Sequence, residues 1–419
     1  MIIPIAKVAP PPVGPPSKWS VWTSSPHRMM FLPGALQLVA ALVLVAWEVG
    51  GRSLGLWATP AWVLPPAWSH AYLMLFGLFP WFVFGFAMTA IPNWIEVRLR
   101  RGAWIASALP MIAGLVIFYA GLVLSRELVV AGGVVQLAGW LAGSLALARI
   151  VFAGKGRDTQ AISIVVLLFV GGICAAFFVV AIARLDADWI ARAANAGLWL
   201  FLLPIFLVVA HRMVPFFSSR VLSGYVMYRP SFSLPFLGAA CVTHYLLETA
   251  AMPGWTWVAE APMAAWVGWL AWKWGLTQSF RARLLAMLHI SLVVLAVALA
   301  FFAVASLATL AGQPGLFGRG PLHLLAVGYI AAMTLGMVSR VSLGHSGRAL
   351  EADTWTWYGF LGLIAVGVAR AIADFAPLAG APRAVLLGAS ALAWIVIVAS
   401  WAVRFVPLYL TPRRDGRPG

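Results

Sequence analysis

Charged residues make up only 10% of this 419-residue chain, and just 12 side chains are acidic. A water-soluble fold covers itself with roughly a quarter charged residues, so that scarcity excludes an ordinary soluble domain. Cysteine is nearly absent too. Cys174 and Cys241 both sit inside apolar runs without C-x-x-C spacing, which excludes a disulfide framework, a thiolate metal cluster and a C-x-x-C-H haem attachment. Neither a Walker loop, a G-x-G-x-x-G turn after a strand, an H-E-x-x-H helix nor a nucleophile elbow occurs. No cleavable leader is expected, because the first 28 residues are Pro-rich, carry Lys7 and Lys18, and lack an isolated apolar core.

What the chain has instead is apolar length. Hydrophobic residues reach 63%, and mean hydropathy is +0.95. A helix crosses a bilayer with about 20 mainly apolar residues. Such runs lie near 29–47, 69–92, 103–124, 128–152, 161–183, 189–210, 232–249, 256–276, 284–310, 321–343, 355–373 and 384–406. They predict an all-α polytopic membrane protein of about twelve transmembrane helices in one bundle. Residues 1–28 form a Pro-rich cytoplasmic arm, 29–406 the bundle, and 407–419 a basic cytoplasmic tail.

The net charge of +16 has a topological origin. Of 28 Lys and Arg residues, only Arg52, Arg126, Arg184, Arg192, Arg319, Arg370 and Arg383 fall on the side opposite the termini. That bias predicts both termini in the cytoplasm and requires no nucleic acid to explain it. No segment between spans is long enough for a soluble domain, so the chemistry belongs to the membrane.

Ionisable groups within spans are costly and tend to be functional, which directs attention to the seven histidines. Topology sorts them into two layers. His70, His244 and His323 fall toward the non-cytoplasmic face. His27, His211, His289 and His345 fall toward the cytoplasm, His27 as an interfacial residue and His211 closing the sixth span. His323 and His345 share one run, and 22 residues at about 1.5 Å each cover about 33 Å, a whole bilayer core. Met333 and Met337 between them form a soft stripe that reads as packing.

Histidines converging from separate helices, with few carboxylates and no thiolates, fit non-covalent haem or histidine-ligated copper. The haem layer expected is His70, His323 and His244. His289, His211 and His345 form the copper or second haem layer. Arg340 and Arg212 are candidates to hold propionates or to snorkel to the interface. Glu248, four residues after His244 on one helix face, is the expected carboxylate support of that imidazole.

The words around these histidines resemble the NnrS family. His70-Ala71-Tyr72-Leu73-Met74 with Gly85-Phe86-Ala87-Met88-Thr89-Ala90-Ile91-Pro92-Asn93-Trp94 resembles its second span. The run from His323 through Met333-Thr334-Leu335-Gly336-Met337 to Arg340 and His345-Ser346-Gly347-Arg348 resembles its tenth. Weaker matches are Arg212-Met213-Val214-Pro215, Leu288-His289 and the tail Pro412-Arg413-Arg414-Asp415-Gly416. The resemblance implies a bacterial inner-membrane protein containing haem and copper and linked to nitric oxide metabolism or protection from nitrosative stress. It names no electron donor. In one respect the chain departs from the pattern: Tyr72 and Leu73 stand where the family's second-span wording has a second His and a Glu. Two other classes compete. A haem–copper oxidase or nitric oxide reductase subunit would carry adjacent His-His and His-x-His, which are lacking. A non-redox transporter or assembly factor would favour helices broken at mid-membrane, with Pro204 and Pro235 as the candidate breaks.

Overall fold

The computed structural model describes residues 16–154, 157–375, 377 and 380–416. Lys7, Lys155 and Arg417, which contribute to the charge asymmetry, lie outside the described residues, as do residues 1–15 of the arm. The rest of the arm is not extended. Lys18–Trp22 forms a short helix, and the first long helix already begins at Pro26.

The long helices in chain order are α1 (Pro26–Ser53), α2 (Pro66–Trp94), α3 (Arg101–Leu124), α4 (Arg126–Ala153), α5 (Thr159–Arg184) and α6 (Ala187–Val221). After them come α7 (Ser233–Thr249), α8 (Trp257–Lys273), α9 (Arg283–Leu310), α10 (Gly320–His345), α11 (Thr354–Ala373) and α12 (Gly380–Leu410). No strand occurs among the described residues. Ten of these helices are long and apolar enough to cross a membrane. The other two, α7 and α8, have 17 residues each, about 26 Å of helix against a core of about 30 Å.

In lipid every backbone group must be satisfied within the chain, so the helix ends matter. Asp158, Asp186 and Asp353 each accept a hydrogen bond from a backbone N–H in the first turn of α5, α6 and α11, which employs a quarter of the chain's carboxylates as caps. Ser125 does the same for α4. Large apolar side chains point outward, as at Val403 (76% exposed) and Ile173 (69%), where a soluble protein would present charge. Inside, α3 and α4 pack backbone to backbone. A Cβ on Gly114 would come within 2.3 Å of the Gln136 nitrogen and 2.6 Å of the Gly132 carbonyl, so the two helices approach this closely only because that side chain is missing.

Neither expected proline break occurs. Pro204 follows a stretch of wider, π-type turns at Gly197–Leu202, and Pro235 lies in the first turn of α7, where a backbone N–H would have no intrahelical acceptor, so its missing donor costs nothing. Helix α6 therefore continues ten residues beyond His211, which is interior to the helix instead of closing it. Helix α10 likewise stays helical to His345, but with π-type turns at Leu324–Ala331 that change its angular register. One further polar contact fixes the ends. Arg28 donates to the Thr411 carbonyl at 2.6 Å, so the start of α1 and the end of α12 share one face of the bundle.

Candidate functional site

Helix α10 carries a histidine near each end; the one at its far end meets the ring of a histidine from another helix, and the one at its start has a histidine of another helix in its electrostatic neighbourhood. At its start, His323 is an electrostatic neighbour of His70 on α2, with Arg319 and Arg370 also close. The His323 Nδ1 lies 2.6 Å from Asp374, just past the end of α11, and 3.0 Å from the Arg319 carbonyl. That contact assigns the proton to Nδ1 and leaves Nε2 as the bare nitrogen. Asp374 also receives Arg370 at 3.0 Å and Arg383 at 3.7 Å. The Nδ1 of His70 has no hydrogen-bond partner.

At the far end of α10, the His345 ring stands 4.5 Å from that of His27, centroid to centroid. The sequence reading of His27 as interfacial is corrected here. His27 is 2% exposed with an unpartnered Nδ1, because α1 begins before it and carries it into the bundle. The C-terminal tail covers this end, with the Arg414 N–H on the Ser346 carbonyl at 3.2 Å. Gly347, at φ +69°, has the Asp415 carboxylate about 3.0 Å from where a Cβ would stand, so no other residue fits the turn without strain. Two motifs far apart in the chain, His345-Ser346-Gly347-Arg348 and the tail, thus form one structure.

Wide-turned helix stands beside the His70 and His323 end. π-type segments begin three residues after His70, at Leu73–Leu78, and immediately after His323, at Leu324–Ala331. Such turns leave carbonyls without their usual partners and recur at functional sites. One of these carbonyls, Phe76, accepts from Gln136 at 2.6 Å, and Gln136 in turn accepts from Tyr72 at 3.1 Å. Tyr72 stacks on Phe118 with centroids 4.4 Å apart. The departure from the family wording is therefore a fully buried packing element, with Leu73 buried beside it.

His244 does not join His70 and His323 in a group of three. Its Nδ1 is 2.8 Å from Glu260 on α8, and its ring stacks on Trp199 at 3.5 Å. Glu248, the expected support, is exposed, because α7 turns that position to the outside. Glu260 was legible as an acidic residue inside an apolar run, but only helix packing pairs it with His244. Asp374, just past the end of a span, gives no signal of its own in the sequence.

The expected inner layer is likewise dispersed. His289 is hydrogen-bonded through Nε2 to the Ser218 hydroxyl at 3.0 Å, while His211 meets Trp274 edge-on at 5.8 Å. Among the described residues no three His, Cys, Asp or Glu side chains converge as a metal ion would need. A copper site of three protein ligands from His289, His211 and His345 does not fit. The arginines are also engaged elsewhere. Arg340 is 7% exposed with its guanidinium 4.2 Å over the Phe217 ring, so it does not snorkel. Arg212 donates to Asp158 at 2.7 Å and to Gln160 at 2.9 Å, and lies 3.8 Å over Trp94. Met333 and Met337 line a small apolar void of about 50 Å³, as packing residues do.

A bundle of lipid-length helices with imidazoles gathered at its two ends defines a polytopic α-helical membrane protein with histidine-based sites. The family model for "NnrS protein" matches residues 21–413, nearly the whole described chain. The chain belongs to the NnrS family. No curated protein matches it.

Proposed function

We propose that this protein is a haem-binding inner-membrane protein of the nitric oxide response, with both termini in the cytoplasm. The family membership supports it, and so does the chemistry of the residues. A haem takes one or two imidazoles; His70 lies in the electrostatic neighbourhood of His323 on another helix, and His27 and His345 bring two rings from different helices to 4.5 Å. A cuprous or cupric site held by three side chains has no such support among the described residues.

The observation that carries the reading is at the first pair. Asp374 orients His323 so that its Nε2 is bare, and His70 beside it has an unpartnered Nδ1. Haem bound there would supply an iron able to take up a small neutral gas that arrives through lipid. The chain's own contribution is to hold the imidazoles neutral and oriented, to keep bulk water out with the surrounding helices, and to neutralise Asp374 with Arg370 and Arg383. The test is an optical spectrum with metal analysis of detergent-purified protein. His70→Ala and His323→Ala should each remove most of the haem absorption; retention in both refutes the assignment. His27→Ala should behave as His345→Ala does, since their rings share one site.

A further inference from the structure

One sizeable cavity lies away from both histidine pairs. It is a cleft of about 990 Å³ over α6, flanked by the first turns of α5 and of α7. Clefts of roughly 300–1,000 Å³ hold ligands of drug size. His211 lines it, 5% exposed, with neither ring nitrogen hydrogen-bonded. An imidazole buried without any partner forfeits the solvation of both a donor and an acceptor, a cost that persists only where something else supplies those bonds. None of the described residues does so.

We propose that this cleft binds an isoprenoid para-quinone, with His211 hydrogen-bonded to its ring oxygen. Three observations select that chemistry. A neutral imidazole presents one N–H and one bare nitrogen, so it pairs equally with the carbonyl of a quinone and the hydroxyl of a quinol. The walls are mainly apolar, and Val166, Phe216 and Met227 at the rim are exposed, so the mouth of the cleft is apolar and suits a lipid-soluble ligand. The interior cation is already neutralised, since Arg212 is committed to Asp158 and Gln160; only Arg229, exposed at the edge, is left for an anionic headgroup. A phospholipid would require the reverse, with free cations at depth. The polar Ser163 on α5 lies across the same cavity and gives a place to block it.

The proposal is independent of haem at His70 and His323, and one sample separates the two. Purified protein in phosphatidylcholine nanodiscs is titrated with decylubiquinone by calorimetry, and its visible spectrum is recorded alongside. Saturable one-to-one binding is expected. His211→Phe should weaken it by about tenfold, as for one lost hydrogen bond to a buried group. His211→Gln, which restores a donor and an acceptor, should stay within about threefold of the parent. Ser163→Trp, which fills the cleft from another helix, should abolish binding while the thermal transition is unchanged. Absence of saturable binding, or equal affinity in all four proteins, overturns the proposal. So does competition by phosphatidylglycerol, which would make the cleft a lipid site, and so does loss of the haem band in His211→Phe. A missing quinone signal with an intact haem band defeats this inference alone; the converse defeats only the haem reading.

Discussion

Replacing Glu260 with leucine removes the carboxylate 2.8 Å from His244 Nδ1 and leaves that nitrogen facing apolar surroundings. His244 is 2% exposed, Glu260 is fully buried, and the ring cannot turn away because Trp199 stacks on it at 3.5 Å. An orphaned buried polar group costs about 1–3 kcal/mol. Side-chain hydrogen bonds between membrane helices run lower, about 0.6 kcal/mol on average and up to about 1.7. The 2.8 Å contact is not aligned as a hydrogen bond, since neither His244 Nδ1 nor either Glu260 oxygen has a hydrogen-bond partner, so Glu260→Leu should destabilise by only about 1 kcal/mol. Glu260→Gln, which still offers an oxygen, should lose less than half of that. The double variant His244→Leu/Glu260→Leu removes both polar partners and should recover most of the loss, since a buried polar pair replaced by apolar groups is often near neutral. The assay is equilibrium unfolding in mixed micelles, read as a double-mutant cycle with Glu248→Ala as the exposed control, expected within about 0.5 kcal/mol of the parent. Additive single and double effects, or a Glu248→Ala loss as large as that of Glu260→Leu, would refute the pairing.

Two further substitutions probe the frame. Gly114→Ala sets a methyl group against the backbone of α4 and should cost about 1–3 kcal/mol, whereas Gly102→Ala, with open space around it, should be neutral within about 0.5; thermal unfolding of equal severity in both would contradict the close helix contact. Arg212→Lys keeps the charge near Asp158 but loses the planar fork over Trp94 and should cost about 1 kcal/mol. Arg212→Met should cost more than Arg212→Lys, and the opposite order in the same melting assay would count against that role.

Composition and apolar length alone determined that this is a helical membrane protein, because lipid imposes one rule along the whole chain and every span must obey it locally. The runs near 69–92, 284–310 and 321–343 lie within α2, α9 and α10 for that reason. The end of the sixth run was less legible, since Arg212 and the later polar residues mark a loop by composition, yet α6 continues to Val221 with Arg212 satisfied by Asp158 and Trp94. The importance of the histidines was also readable, from the cost of an ionisable group in a span. Their partners were not. Which carboxylate serves His244, whether His27 faces lipid or His345, and whether His211 has any partner depend on how helices rotate against each other, and no local pattern encodes that rotation. The π-type turns in α2, α6 and α10 make the point sharply: a few residues of wider winding re-aim everything beyond them. The sequence determined which groups had to be buried, and only the packed bundle decided what each would meet.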